Sequence, residues 1–420
     1  MRGSVVVMGT RGYPSYYGGF ETLVRQLSPY LVDEGWDVTV YGRRGTTMAA
    51  DPCRDPRIES VVTRGVESTS FSTLSYGLTS AIHASKRRPD VALVMNVANG
   101  YWLPLLKARG IPTVINVDGI EWERAKWGRA AKATFRTGAL LTARFADILV
   151  FDSLEIGRRW SAEFNRGGEF IPYGGSVPNA STVVEGLPRR AYALMVARFV
   201  PENTVAEFFD AAEELSKRWD VVIVGSSGYG GEFDARAQHL AASNDRIHWW
   251  GHVSDDSKLF ALWQNAGVYF HGHSVGGTNP ALVQAMACGA PTVARDTVFN
   301  REVLDHAGVY VEPNSRAIAL ALETVLSDPA LQVRLSTAAV ARQQREYAWE
   351  QVCEKYAQIL ADSLHGQPRL ARSSTAFERF ESWPLDRPAD GVVRMRPGRQ
   401  RDSVAPPNAR VLSGHAIAYH

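Results

Sequence analysis

The stretch His271-Gly-His-Ser-Val-Gly-Gly-Thr-Asn-Pro280 is built to receive an anion. It follows an apolar strand, Ala266 to Phe270, and precedes a helix opened by Pro280. Proline presets the first helical turn and gives up only an N–H that has no partner there. The backbone N–H groups of Gly276, Gly277, Thr278 and Asn279 can then point at a phosphate, and the helix dipole favours negative charge at the same spot. A second glycine loop, Gly9-Thr-Arg-Gly-Tyr-Pro-Ser-Tyr-Tyr-Gly-Gly-Phe-Glu21, follows the apolar strand Ser4 to Met8 and feeds a helix from about Phe20 to Glu34. A dinucleotide-binding fold carries its glycine loop first; this chain carries one in each half. The first loop lacks Gly-x-Gly-x-x-Gly spacing. The second strand, Val38 to Tyr41, runs into Gly42-Arg43-Arg44 where a ribose-binding carboxylate would stand. Both facts count against the alternative of an NAD-dependent oxidoreductase.

The elements that must position these loops form two similar series. Strands Val91 to Asn96, Thr113 to Val117, Ile148 to Phe151 and Glu169 to Ile171 alternate with helical segments. Turn formers then accumulate from Pro172 to Arg190. A new series opens at Tyr192 to Val196 and continues through Val221 to Val224, Ile247 to Trp250, Pro291 to Ala294 and Gly308 to Val311. Repeated βα units give parallel sheets with right-handed crossovers. The fold class expected is α/β: two Rossmann-like domains, residues 1–175 and 190–345, facing across a cleft. A crossover helix over 346–364 returns to the first domain, and a disordered tail follows over 365–420. That tail is rich in arginine and proline and has no lysine. Ligands in such sheets sit at the carboxyl ends of the strands, so both glycine loops belong to the cleft.

Composition narrows the classes. The chain has 420 residues, is 45% hydrophobic and has a formal charge of +2, so nothing suggests a nucleic-acid partner. Cys53, Cys288 and Cys353 are too far apart for a metal pattern, and the expected state is reduced and cytoplasmic. The N-terminus enters a strand at once, with no room for a signal peptide, and no apolar run reaches the ~18 residues of a spanning helix.

Four blocks carry a resemblance: Gly9-Thr-Arg-Gly-Tyr-Pro14, Tyr17-Gly-Gly-Phe-Glu21, Val117-Asp-Gly-Ile-Glu-Trp122 and Gly276-Gly-Thr-Asn-Pro280. With Ala197-Arg-Phe-Val-Pro-Glu-Asn203 and the terminal Tyr347 to Tyr356, they resemble glycosyltransferase family 4 with the GT-B fold. The bacterial rhamnosyltransferases that extend saccharides on lipid carriers are the nearest subgroup. The resemblance implies a retaining, metal-independent hexosyltransferase without a cofactor. Its donor would be a nucleotide diphosphate sugar, dTDP-rhamnose by resemblance, and its acceptor a lipid-linked saccharide of cell-surface polysaccharide synthesis. In such enzymes the leaving phosphate itself takes the acceptor proton, so no side-chain base is required. No Asp-x-Asp ends a strand, and no metal site is expected.

Site residues follow from that chemistry. Arg198 can grip two phosphate oxygens as charge grows on the leaving group, the alternative being a surface ion pair. Gly18 and Gly19 let the backbone approach the donor. Asp118 is expected to orient a sugar hydroxyl, or else to cap the helix nearby. His273, beside His271, is expected to bond the sugar or a phosphate, or else to hold structure. Arg11 and Glu121 are assigned to the acceptor. The resemblance places donor glutamates and a phosphate-binding lysine where this chain has Ser274, Gln284 and Asn203. Gln284 can bond a ribose diol with mixed donor and acceptor capacity. These replacements keep alive a catalytically impaired sugar-nucleotide-binding protein. Finally, Lys126, Arg129, Lys132 and Arg136 recur on one helical face beside Trp127, Phe135, Leu140 and Leu141, a pattern that suits peripheral contact with anionic lipid at the inner face of the bacterial plasma membrane. Lys86, Arg87 and Arg88 would extend the patch.

Overall fold

The computed structural model describes residues 2–16, 18–46, 51–66, 72–124, 127–178, 183–228 and 230–364. The proposed tail over 365–420 and Lys126 lie outside the described residues.

Two parallel sheets form the framework. The first contains β1 (Gly3–Met8), β2 (Trp36–Gly42), β3 (Glu59–Val62), β4 (Val91–Met95), β5 (Thr113–Asn116), β6 (Ile148–Phe151) and β7 (Glu169–Phe170), in the order β3-β2-β1-β4-β5-β6-β7. The second contains β8 (Tyr192–Val196), β9 (Asp220–Val224), β10 (Ile247–Trp249), β11 (Val268–His271), β12 (Thr292–Arg295) and β13 (Gly308–Val311), in the order β10-β9-β8-β11-β12-β13. Each order reverses beside its first strand, between β1 and β4 and between β8 and β11, and the crevice for a ligand opens at that reversal. Central strands such as Val91-Ala-Leu-Val-Met95 are buried throughout, because helices cover both faces of a parallel sheet. Twelve of these strands lie within two residues of the spans expected from the residues. The exception is β3, a four-residue edge strand with both ends exposed that shows no continuous apolar run.

Helix Gly19–Asp33 buries Leu23, Val24, Leu27 and Leu31 against the first sheet, and Gly35, at φ +86°, turns the chain into β2. The last described helix, Trp349–Leu364, crosses back as expected. Its Val352, Tyr356, Ala357 and Leu360 join the core of the first lobe, and Asn116 Nδ2 donates to Tyr356 Oη at 2.8 Å. The chain thus passes between lobes twice, and the two passages are tied together. Gly175 and Ala348 form a parallel bridge, Gly175 N–H donates to the Tyr347 carbonyl at 2.9 Å, and Gln343 Nε2 donates to the Gly175 carbonyl at 2.9 Å.

Candidate active site

The two glycine loops meet. Helix Pro280–Ala287 starts where helix Gly19–Asp33 starts: a Cβ placed on Gly19 would lie 3.2 Å from Pro280 Cγ and 3.4 Å from the Tyr173 hydroxyl. Two helix N-termini, one from each lobe, therefore converge on one spot, and both favour an anion. Among the described residues, the backbone N–H groups of Gly276, Gly277 and Asn279 have no acceptor. Thr278 differs from expectation. Its N–H (3.3 Å) and its hydroxyl both donate to the Asp152 carbonyl at the end of β6, so this amide holds the lobes together. The Asn279 side chain accepts from Ala281 N–H at 3.0 Å and caps the helix.

The first lobe supplies the opposite wall. A Cβ on Gly277 would fall 2.1 Å from Asp152 Oδ1, so only glycine admits that carboxyl. Asp152 is buried, its Oδ1 has no partner, and burial beside Asp118 and Glu302 raises its carboxyl well above the usual range. Gly276 lies against the turn after β5. There Asp118 takes a left-handed φ of 61°, donates its N–H to Asn116 Oδ1 (3.0 Å) and accepts from Asn96 Nδ2 (3.3 Å). It caps no helix, since the short 3₁₀ turn Glu121–Glu123 has Ile120 at its N-cap. Asp118 is half-buried at the seam between the lobes.

Other assigned residues are placed differently. Glu121 is buried; Oε1 lies 2.7 Å from Arg124 Nε and Oε2 accepts the Trp127 indole N–H at 2.9 Å, so it positions these two side chains and is closed to an acceptor. The Arg11 backbone N–H donates to Oε1 of buried Glu21 at 2.9 Å, which folds the first loop onto its helix; the Arg11 side chain is half-buried. Asn203 turns its amide to the Arg198 carbonyl at 2.9 Å, and Ser274 donates its hydroxyl (2.8 Å) and N–H (3.0 Å) to the Glu202 carbonyl. Both secure the turn that presents Arg198. Arg198 itself is exposed and has no carboxylate partner among the described residues, which removes the surface ion pair as its explanation. Gly18, exposed and extended at φ −170°, is the N-cap of the first helix.

His271 ends β11 fully buried, with Nδ1 3.0 Å from the Tyr269 hydroxyl, and its ring stacks on His273 at 4.4 Å and 9°. Burial, with Arg198 and Arg124 nearby, pushes His273 down to about 3. It is therefore a neutral imidazole at physiological pH and fits a hydrogen-bonding role, not that of a cationic acid.

Residues 183–342 match the family described as glycosyl transferases group 1. The second lobe carries a group 1 transferase domain. Residues 78–176 match a family described as a domain of unknown function, DUF1972. The chain is 30% identical over 215 residues to a phosphatidyl-myo-inositol mannosyltransferase of Mycobacterium leprae, covering 49% of this chain and 56% of that one. It is 25% identical over 169 residues to O-antigen chain mannosyltransferase B of Escherichia coli, covering 38% and 43%. The matches thus span about half the length of these relatives. Among solved structures, sucrose-phosphate synthase from Thermosynechococcus elongatus superposes with a TM-score of 0.69 at 19% identity, over 85% of this chain and 98% of that one. Anabaena Alr3699/HepE in complex with UDP-glucose superposes with a TM-score of 0.66 at 14% identity, over 86% and 100%. The fold is GT-B.

Within the transferase domain, Gln284 corrects the ribose assignment. Its Oε1 accepts from Ser176 N–H at 2.9 Å and its Nε2 donates to the Ser176 carbonyl at 2.7 Å, so both ends of the amide fasten the interlobe linker. Gln284→Glu would set a carboxylate oxygen against that carbonyl. The expected result is a loss of about 1–3 kcal/mol in urea denaturation, with nucleotide affinity retained. Unchanged stability with lost affinity would return the side chain to the ribose.

The transferase domain also grips the first lobe through Glu302, which the sequence reading does not single out. Its buried carboxylate accepts from Ser153 Oγ (2.8 Å), Leu154 N–H (2.7 Å) and Glu155 N–H (3.2 Å), capping helix Leu154–Phe164 from the opposite lobe. Burial pushes this carboxyl up to about 7 from an ordinary 4.5, although the three hydrogen bonds favour its charged form. A group protonated more readily when folded stabilises most below its unfolded pKa. That contribution, about 3 kcal/mol, declines as pH rises through the window from roughly 4.5 to 7. Asp152 adds a dependence of the same sign. Glu302→Gln is expected to give a shallower fall in denaturation free energy between about pH 4.5 and pH 7 than the parent. An identical slope would show that Glu302 does not titrate in this window.

Proposed function

We propose that the chain is a retaining hexosyltransferase that moves a sugar from a nucleoside diphosphate to a lipid-linked saccharide. The observation that carries this reading is the meeting of Gly19 and Pro280, which sets unpartnered amides of one lobe against a helix N-terminus of the other. A pyrophosphate seated there takes hydrogen bonds from Gly276, Gly277 and Asn279, and Arg198 reaches it from an exposed turn. Donors fixed in advance at the leaving phosphate stabilise the charge that develops as the glycosidic bond breaks. Departure of that phosphate on the face that the acceptor hydroxyl enters gives retention, with the phosphate oxygen taking the proton. Asp118 orients a hydroxyl at the seam. The reaction is proposed to need no metal and no cofactor, since amides and guanidinium supply the electrostatic stabilisation.

The donor sugar is proposed to be rhamnose on dTDP, from the resemblance of the four sequence blocks; the two curated relatives are named as mannosyltransferases. Contact with anionic lipid is proposed through helix Arg129–Phe145, where Arg129, Arg136 and Arg144 are exposed and Leu140 is 53% exposed. Each basic group near such a surface adds about 1 kcal/mol. Arg136 shares its charge with Glu163 at 3.1 Å, and Arg87 pairs with Glu59 at 2.5 Å, which takes Arg87 out of the patch. No described helix is long and apolar enough to cross a membrane.

The test is a thermal-shift panel of dTDP-rhamnose, GDP-mannose, UDP-glucose and NADH on the full chain. A true donor at about 100 times its Kd adds ~2.7 kcal/mol of stability. A response to NADH alone would overturn the reading. Binding of a sugar nucleotide without turnover on any lipid-linked acceptor would support the impaired binder, which the engagement of Ser274 and Gln284 within the fold keeps as the second reading.

A further inference from the structure

Arg124 lies at the seam between the lobes. The chain leaves β5, turns through Asp118 and Gly119, makes the short 3₁₀ turn Glu121–Glu123, and brings Arg124 back, its N–H donating to the Glu121 carbonyl at 3.2 Å. One end of the guanidinium lies against a carboxylate: Nε is 2.7 Å from Oε1 of buried Glu121, an ion-pair contact without the alignment of a hydrogen bond. The other end sits between the lobes. Nη2 would be 3.2 Å from a Cβ on Gly119 and 3.8 Å from a Cβ on Gly276, and that Gly119 Cβ would lie 3.5 Å from Gly276 Cα. Neither terminal nitrogen has an acceptor among the described residues. The Glu121 carboxylate is held in turn by the Trp127 indole, which keeps the opposite charge beside the guanidinium. Arg124 and Arg198 each repel a proton from His273, which places cations from opposite lobes around one imidazole.

We propose that Arg124 is the first lobe's phosphate ligand: its terminal N–H groups close onto the phosphate that the amides of Gly276, Gly277 and Asn279 hold from the second lobe. A guanidinium fork suits two phosphate oxygens, and the ion pair with Glu121 aims it before the ligand arrives. Its engagement depends on lobe closure, because the amides and the guanidinium belong to different lobes. This inference rests on the reading that a phosphate group occupies the glycine turn. The phosphate can belong to the sugar donor or to the isoprenoid carrier of the acceptor.

The experiment compares the full-length parent, Arg198→Ala, Arg124→Ala and the double variant Arg124→Met/Glu121→Gln. The double variant leaves no unpaired buried carboxylate behind, so it covers the case in which Arg124→Ala alone fails to fold. Binding of UDP, GDP and dTDP is measured by calorimetry beside the matching nucleosides, and farnesyl phosphate is titrated as the isoprenoid probe. The expected result is a loss of roughly 10- to 100-fold in phosphate-dependent affinity in both Arg124 variants, with nucleoside affinity unchanged. Loss confined to the diphosphates assigns the residue to the donor, and loss confined to farnesyl phosphate assigns it to the acceptor. If Arg198→Ala weakens diphosphate binding while both Arg124 variants bind every probe as the parent does, the assignment of Arg124 is overturned and the transferase reading stands. If the parent binds none of the phosphates, both fall.

Discussion

Arg198→Ala is expected to lose donor affinity by roughly 10- to 100-fold, the range of a charge-assisted contact worth about 1.5–3 kcal/mol. The side chain is exposed and makes no ion pair among the described residues, so its removal breaks nothing in the resting fold. Stability should therefore stay within about 0.5 kcal/mol of the parent. Turnover should fall further than affinity, because charge on the leaving phosphate grows toward the transition state and an interaction made mainly there lowers kcat. Calorimetry with the sugar nucleotide, denaturation in urea and initial rates on one protein batch check all three. Equal affinity and equal rate would remove Arg198 from the mechanism.

Gly277→Ala is expected to part the lobes. The added methyl would meet the Asp152 carboxyl at 2.1 Å from Oδ1, 2.5 Å from Cγ and 2.7 Å from Oδ2. That carboxyl is 2% exposed, so it has little room to retreat, and overpacking of this kind costs about 1–3 kcal/mol. The strain falls on the contact where Thr278 bonds the Asp152 carbonyl, so separation of the lobes relieves it. Small-angle scattering should show a larger radius of gyration, and activity should drop with the donor amides withdrawn from the first lobe. Gly277→Ala/Asp152→Ala removes the obstructing carboxyl and should restore compactness. A compact, fully active single variant would mean that the seam tolerates a side chain there.

Much of the frame was legible in the residues. Valine-rich strands, helix-opening Pro280 and the two glycine loops each report a local rule, and local rules survive folding. The convergence of the loops followed from one topological principle, that ligands collect at the carboxyl ends of parallel strands. The side chains were less legible, for a definite reason. Gln284, Ser274, Asn203 and Glu121 all have the right chemistry for a ligand, and each is engaged by a partner distant in sequence or by a local turn that only tertiary structure brings into reach. The reverse error hid Asp152, Glu302 and Arg124. A carboxylate directly after β6 was a usable signal, because that is where cleft residues project. Nothing in the stretch Asn300-Arg-Glu-Val303 reveals that its glutamate caps a helix almost 150 positions earlier.

The bridge between Gly175 and Ala348 fixes what kind of opening is available. Two strands of covalent chain joined at one point act as a door hung on paired pins: they bend, but they resist twisting or sliding. Aperture then grows with distance from the pivot. The Gln284–Ser176 fastening, close to it, should endure a full swing, whereas Gly277 and Asp152 separate early. Substrate entry and product escape would accordingly share a single angular coordinate.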